Sequence, residues 1–235
     1  MLIEHRAYTM RPGGLDIFVD AQAKRGFGPP MQGVMERLIG YFSTVSGPTD
    51  QVVHLWRYDN YEDWIGRLHA IYGRPELEGY FKTVRSLMVA QENKFLAPAP
   101  LAELTPYWGN GKDWLPGVQP PQLSAGEAAL IEETTLILLP GTVPAYWQAF
   151  REHALQASEA TQYVLGSFAS VVGRQHQLLH YRHYAGLAEC EAHKAALAQS
   201  EPWRSFQKQI GPSVASSETK LLRSCALPEM SPFFR

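Results

Sequence analysis

Residues 35–58 and 161–184 align without a gap at a constant separation of 126. Identities fall at Gly40/Gly166, Phe42/Phe168, Val45/Val171, Gly47/Gly173, Gln51/Gln177, His54/His180 and Tyr58/Tyr184. Leu38/Val164, Ile39/Leu165 and Val53/Leu179 are conservative pairs. The flanks repeat as well. Pro12-Gly13 and Pro140-Gly141 close the first strand of each copy, and Pro75 and Pro202 interrupt a helical segment in each. A repeat of this length makes the chain two copies of one supersecondary unit, each with an apolar face to bury.

The pattern within a copy predicts βαββαβ. In the first copy, 3–10 is a strand and 14–24 a helix with Leu15, Phe18, Val19 and Gln22 on one face. Gly26, Gly28, Pro29 and Pro30 break that helix. Strands at 38–45 and 51–58 flank a turn through Gly47-Pro48. Asp59 or Asn60 caps a helix at 61–72. A helix from 75 to about 89 and a strand at 92–96 complete the unit. The second copy predicts strands at 132–139, 163–172, 175–184 and 218–224. Its helices are predicted from 144 to about 158 and, broken, from 187 to about 209. The bounds are therefore 1–97, a linker at 98–128, and 129–235.

Along 51–58 one face carries Val53 and Leu55, the other His54, Trp56 and Tyr58. Neither face suits water, so the sheet must be covered on both sides. Helices cover one. The other packs on the second copy within the chain, or on a copy in another chain. The linker holds Tyr107, Trp108 and Trp114 among its prolines, which favours packing over a flexible tether. The apolar tail Pro232-Phe233-Phe234 is expected to dock on a neighbouring subunit.

A net charge of −2 without basic clusters argues against nucleic acid. No apolar run reaches the roughly 20 residues of a membrane span. The start lacks a presequence pattern, so the expected location is cytoplasmic. Cys190 and Cys225 have no metal or redox spacing and are expected to be reduced and buried.

The run Leu38-Ile39-Gly40-Tyr41-Phe42, then Gly47-Pro48, then Gln51-Val52-Val53-His54-Leu55-Trp56-Arg57-Tyr58 resembles the NIPSNAP family. Arg6-x-Tyr8, Pro12-Gly13, Pro29-x-Met31-x-Gly33, Arg67 and Pro75 extend the resemblance over about residues 3–97. The second copy departs from it: Arg182 stands in the Trp56 position and Arg174 in the Pro48 position. The resemblance implies an α+β fold of tandem ferredoxin-like repeats in a dimeric α/β-barrel-type sandwich, and a homo-oligomer. Its wider fold group includes cofactor-independent enzymes acting on small apolar or aromatic molecules by proton transfer, isomerisation, cyclisation or oxygenation. The alternative is a non-catalytic module that binds a small ligand or a protein.

His54 and His180, at matched positions, are the candidate acid/base residues, because histidine titrates near neutrality. Across a pseudo-two-fold axis they could face one cavity. Tyr58 and Tyr184 lie four residues on, on the same strand face, and are the candidate proton partners. The competing reading is a buried His bonded to the backbone and a Tyr anchoring a strand end. Arg6, Tyr8, Trp56 and Arg182 are the candidate substrate-binding residues; a strand Arg facing a cavity anchors anions, or else forms a salt bridge. No metal is expected: His180 and His183 face opposite sides of a strand, and His176 lies about 13 Å along it from His180. No cofactor is expected: a phosphate loop is absent and nothing marks one histidine as a haem ligand; a nucleophile elbow is absent as well.

Overall fold

The computed structural model describes residues 1–109, 112–114, 123, 126 and 128–234. The first copy is β1 (Leu2–Met10), α1 (Gly14–Arg25), α2 (Pro29–Met35), β2 (Leu38–Ser46), β3 (Gln51–Tyr58), α3 (Tyr61–Tyr72), α4 (Glu78–Leu87) and β4 (Met88–Pro98). A small hairpin, β5 (Trp108–Gly109) and β6 (Lys112–Asp113), follows. The second copy is β7 (Leu130–Leu138), α5 (Val143–Glu152), β8 (Val164–Val172), β9 (Gln177–Tyr184), α6 (Leu187–Gln199), α7 (Glu201–Ile210) and β10 (Val214–Ser224). Within the first copy the antiparallel order is β1-β3-β2, and within the second it is β7-β9-β8. The chain divides into two compact units. One comprises Met1–Phe95, Trp114–Ser124 and Leu222–Arg235; the other Leu96–Asp113 and Ala125–Leu221. No described helix is long and apolar enough to cross a membrane.

The duplication reaches the backbone. Met10 N–H bonds the carbonyl of Asp50 as Leu138 N–H bonds that of His176. Arg57 N–H to Arg37 is matched by His183 N–H to Tyr163. The repeated turn glycines Gly47 and Gly173 have φ of 128° and 112°, a region open to glycine. Asp50 and His176 follow in matched left-handed conformations.

Gly40 and Gly166 have a different reason. Each lies where the strand pairing shifts register. A Cβ on Gly40 would stand 2.6 Å from the Phe42 ring, and one on Gly166 would stand 2.8 Å from Phe168 and 3.2 Å from Trp108. Gly40→Ala and Gly166→Ala are each expected to destabilise by about 1–3 kcal/mol through overpacking, read from urea denaturation. Gly166 should be the worse, since two rings must give way.

Every residue of β3 is buried, as the two apolar faces predict. Val52, Trp56 and Tyr58 join Phe18, Met31, Val34, Leu68, Val84 and Leu87 in the core beneath the helices of the first unit. In the second unit Leu138 and Leu178 pack with Tyr146, Phe150, Leu197 and Phe206. Each such side chain contributes about 1.5–3 kcal/mol when fully buried. Asn60 caps α3, accepting from Asp63 N–H at 2.9 Å.

Some expectations need correction. Pro29 and Pro30 begin a helix, α2, because proline suits a first turn whose N–H groups have no partner anyway. α4 ends at Leu87, and β4 starts at Met88. α5 stops at Glu152 and gives way to short 3₁₀ turns. β4 and β10 each begin earlier than expected because their first halves are exposed and show no apolar alternation. The tail docks on its own chain: Phe233 and Phe234 are buried, with Phe233 edge-on to Trp114 at 4.5 Å and Phe234 to Phe42 at 5.6 Å. Trp108 is buried, 5.9 Å from Phe168. Linker residues 115–122 lie outside the described residues. Cys190 is buried and Cys225 half-buried, both as free thiols.

Candidate functional site

In the first unit, antiparallel pairing of β1 with β3 sets Arg6 beside His54 and Glu4 beside Trp56. Arg6, Tyr8, His54 and Trp56 line a cavity of about 170 Å³, closed by Phe18 and Arg25 of α1, Tyr41 of β2, and Tyr80, Phe81 and Val84 of α4. His54 Nδ1 accepts a 2.7 Å hydrogen bond from the Trp56 indole N–H. Tyr41 stacks on the imidazole at 4.3 Å and 11°, and Tyr8 meets it edge-on at 4.6 Å.

The indole can only donate, so His54 Nδ1 must be unprotonated and the ring proton sits on Nε2. Burial, with the nearby charge of Arg6, holds the His54 pKa well below the usual imidazole range. His54 is thus a neutral donor whose buried Nε2 has no protein partner. A group in that state serves as an electrophile toward oxygen and is a poor base near pH 7.

Arg6 is 9% exposed and ion-paired to Glu4 at 2.8 Å. Its guanidinium lies 5.6 Å over the Trp56 ring. Burial opposes its charge, but Glu4, Tyr8 and Tyr58 outweigh that and raise its pKa. Glu4, fully buried, also accepts from Trp64 at 2.9 Å and Asn93 at 2.6 Å. Burial raises the pKa of Tyr8 and, strongly, that of Tyr41. An open cleft of about 730 Å³ shares Arg25 and Tyr80 with the cavity.

In the second unit His180 lines a separate cavity of about 350 Å³ with Arg182, Glu132, Lys194, Tyr146 and Trp203. Its Nε2 bonds the Tyr146 hydroxyl at 2.9 Å and its Nδ1 the Ser167 hydroxyl at 2.7 Å. Burial, then the charge of Arg182, lowers its pKa to about 3. With both nitrogens engaged, His180 has no free position for a proton transfer.

His54 lines the cavity described in the first unit, and His180 lines the one described in the second. Tyr58 and Tyr184 line neither. Four residues along a strand is about 13 Å, too far for a shared proton. Tyr184 instead bonds His193 Nδ1 at 2.8 Å. Arg6, Tyr8, His54 and Trp56 do come together, and Arg182 faces the second cavity. The sequence reading missed Glu4 and Glu132, at matched positions, and the histidine partners Tyr41, Tyr146 and Ser167. The recurrence of glutamate two residues before Arg6 and Thr134 was a usable signal. Among the described residues, no group of three or more His, Cys, Asp or Glu side chains could hold a metal.

No curated protein matches the chain. Among solved structures, an anthrone oxidase-like protein has a TM-score of 0.62 at 12% identity, over 95% of this chain and 91% of the other. That likeness is one of fold. An uncharacterised NIPSNAP-like domain protein from Burkholderia xenovorans is 38% identical over 43% of this chain and 86% of its own, with a TM-score of 0.40. A NIPSNAP family protein from Agrobacterium tumefaciens is 26% identical over 43% of this chain and 94% of its own, with a TM-score of 0.40. The NIPSNAP family model matches residues 3–103 and again 131–228, most of both copies, and the chain belongs to the NIPSNAP family.

Proposed function

We propose that the first unit is a cofactor-independent enzyme site that takes a small phenol or enolisable aromatic ketone and holds it as its anion. The observation that carries this reading is the unpartnered Nε2–H of a neutral, immobilised His54 in an aromatic cavity that Arg6 also lines. A donor fixed in a low-dielectric site stabilises developing oxyanion charge more than it would in water. A phenol releases its hydroxyl proton to water, and an aromatic ketone gives up a proton from its α-carbon to water; in both the anionic oxygen is held by His54 Nε2–H with the guanidinium of Arg6 nearby. The resulting electron-rich carbon is the reactive centre for protonation or oxygenation. A cavity of about 150 Å³ holds benzene, so 170 Å³ admits one ring, and the adjoining cleft takes the remainder of a larger molecule. The anthrone oxidase-like neighbour is consistent with such a substrate at the level of fold.

A non-catalytic ligand-binding role is favoured by one feature: among the residues lining the cavity there is no carboxylate to act as a base. In either role each copy, bounded at 1–97 and 129–235, is read as a ferredoxin-like unit of a cytoplasmic homo-oligomer. Light scattering on purified protein tests the assembly.

The probe for the site is 4-nitrophenol, which turns yellow on ionisation. Below its solution pKa, adding the protein should increase the nitrophenolate absorbance, and His54→Phe should reduce that increase about tenfold or more, as for a hydrogen bond to a charged group. Preferential binding of the neutral phenol, or an unchanged response in His54→Phe, would defeat the proposal. Oxygen uptake with enolisable aromatic ketones then separates enzyme from binding module.

A further inference from the structure

We propose that the second unit carries its own binding site for a small amphiphilic carboxylate, anchored by Arg182. Arg182 stands where the first copy has Trp56. There the indole fixes the histidine; here Tyr146 and Ser167 fix His180 instead. Position 182 is thereby released from holding the imidazole, and it introduces a cation.

Among the described residues that cation has no carboxylate of its own. Glu132, directly across from Arg182 in the β7–β9 ladder, is committed to Lys194 and accepts from the Cys190 thiol at 3.6 Å. Arg182 makes one long bond, 3.4 Å, to the Ala160 carbonyl, and its Nε is buried without a partner. With His180 neutral, Arg182 and Lys194 against Glu132 leave the cavity with one net positive charge. A planar guanidinium pairs a carboxylate through two parallel hydrogen bonds.

The rest of the wall sets the remainder of the ligand. Leu136, Phe150, Trp203, Phe206 and Ile210 form an apolar side. Its 350 Å³ falls within the usual range of roughly 300–1,000 Å³ for small-molecule sites. A monocarboxylate with an aromatic or short aliphatic body matches both charge and surface. A phosphate dianion would leave charge uncompensated and the apolar wall unused.

The test is calorimetric titration of the full chain with 2-naphthoate and, in parallel, 2-naphthamide, its neutral near-isostere. Naphthoate should bind at least about tenfold more tightly than the amide, and Arg182→Gln should remove that preference. Arg182→Lys keeps the charge without the fork and should fall between. In labelled wild-type protein the Arg182 Nε–H resonance, identified by its loss in Arg182→Gln, should shift with naphthoate. Equal affinity for acid and amide, undiminished binding in Arg182→Gln, or a stationary Arg182 resonance overturns the proposal. If Arg182→Gln does not fold, the acid–amide comparison and Arg182→Lys decide it.

Discussion

Arg6→Met is expected to destabilise the protein by about 3–5 kcal/mol, the cost typical of stranding one member of a buried ion pair. Glu4 is 0% exposed and meets three donors: the Arg6 guanidinium, the Trp64 indole and the Asn93 amide. Methionine fills much of the volume of the arginine stem, so lost packing contributes little. What is lost is the cation ion-paired to Glu4, and two neutral donors remain on the buried carboxylate. The double variant Glu4→Gln with Arg6→Met should recover most of the stability, because the strong penalty needs the charge. The measurement is the urea midpoint of wild type, both single variants and the double. A loss under about 1 kcal/mol in Arg6→Met would mean that Glu4 reaches water, contrary to its burial.

Acid should destabilise the fold well above the range in which carboxylates titrate. His180 has a folded pKa of about 3 against an ordinary 6.5, and His54 is also held well below it. As pH falls below about 6.5, the unfolded chain takes up these protons and the folded chain does not. Unfolding is then favoured increasingly, until pH approaches the folded values. The slope is up to about 1.4 kcal/mol per pH unit for each histidine. The urea midpoint should thus fall between pH 7 and pH 5, and His180→Asn should flatten the fall. A flat profile over that window would show that the imidazoles protonate in the folded state. The same burial that keeps His54 neutral, with the Trp56 indole on Nδ1, leaves its one proton on Nε2, so the stability profile and the state of the ring share one physical cause.

The sequence was sufficient for the repeat, and the reason is local. Gly47 and Gly173 answer to turn dihedrals, while Gly40 and Gly166 answer to a phenylalanine two residues on. Both demands lie within a few residues of chain, so both survive as identities at fixed spacing. The alternation of β3 likewise announced two buried faces and set His54 and Trp56 on one of them; the β1–β3 pairing that brings Arg6 and Tyr8 beside them was visible only in the fold. α2 and the exposed halves of β4 and β10 were not readable. Proline is ambiguous between ending and beginning a helix, and an exposed strand carries no apolar rhythm.

The chemical state of the site was decided only in three dimensions. Sequence pairs His54 with Tyr58 and His180 with Tyr184, because it records a shared strand face and not the 13 Å between them. The histidines have other partners: His54 takes Trp56, two residues on along the same strand face, and Tyr41 of β2, while His180 takes Tyr146 of α5 and Ser167 of β8. Those contacts fix which nitrogen carries the proton and whether it is free. The sequence alone determined that two equivalent histidines exist; the fold left Nε2 of His54 without a protein partner and engaged both nitrogens of His180, because the groups that reach each second nitrogen come from other elements.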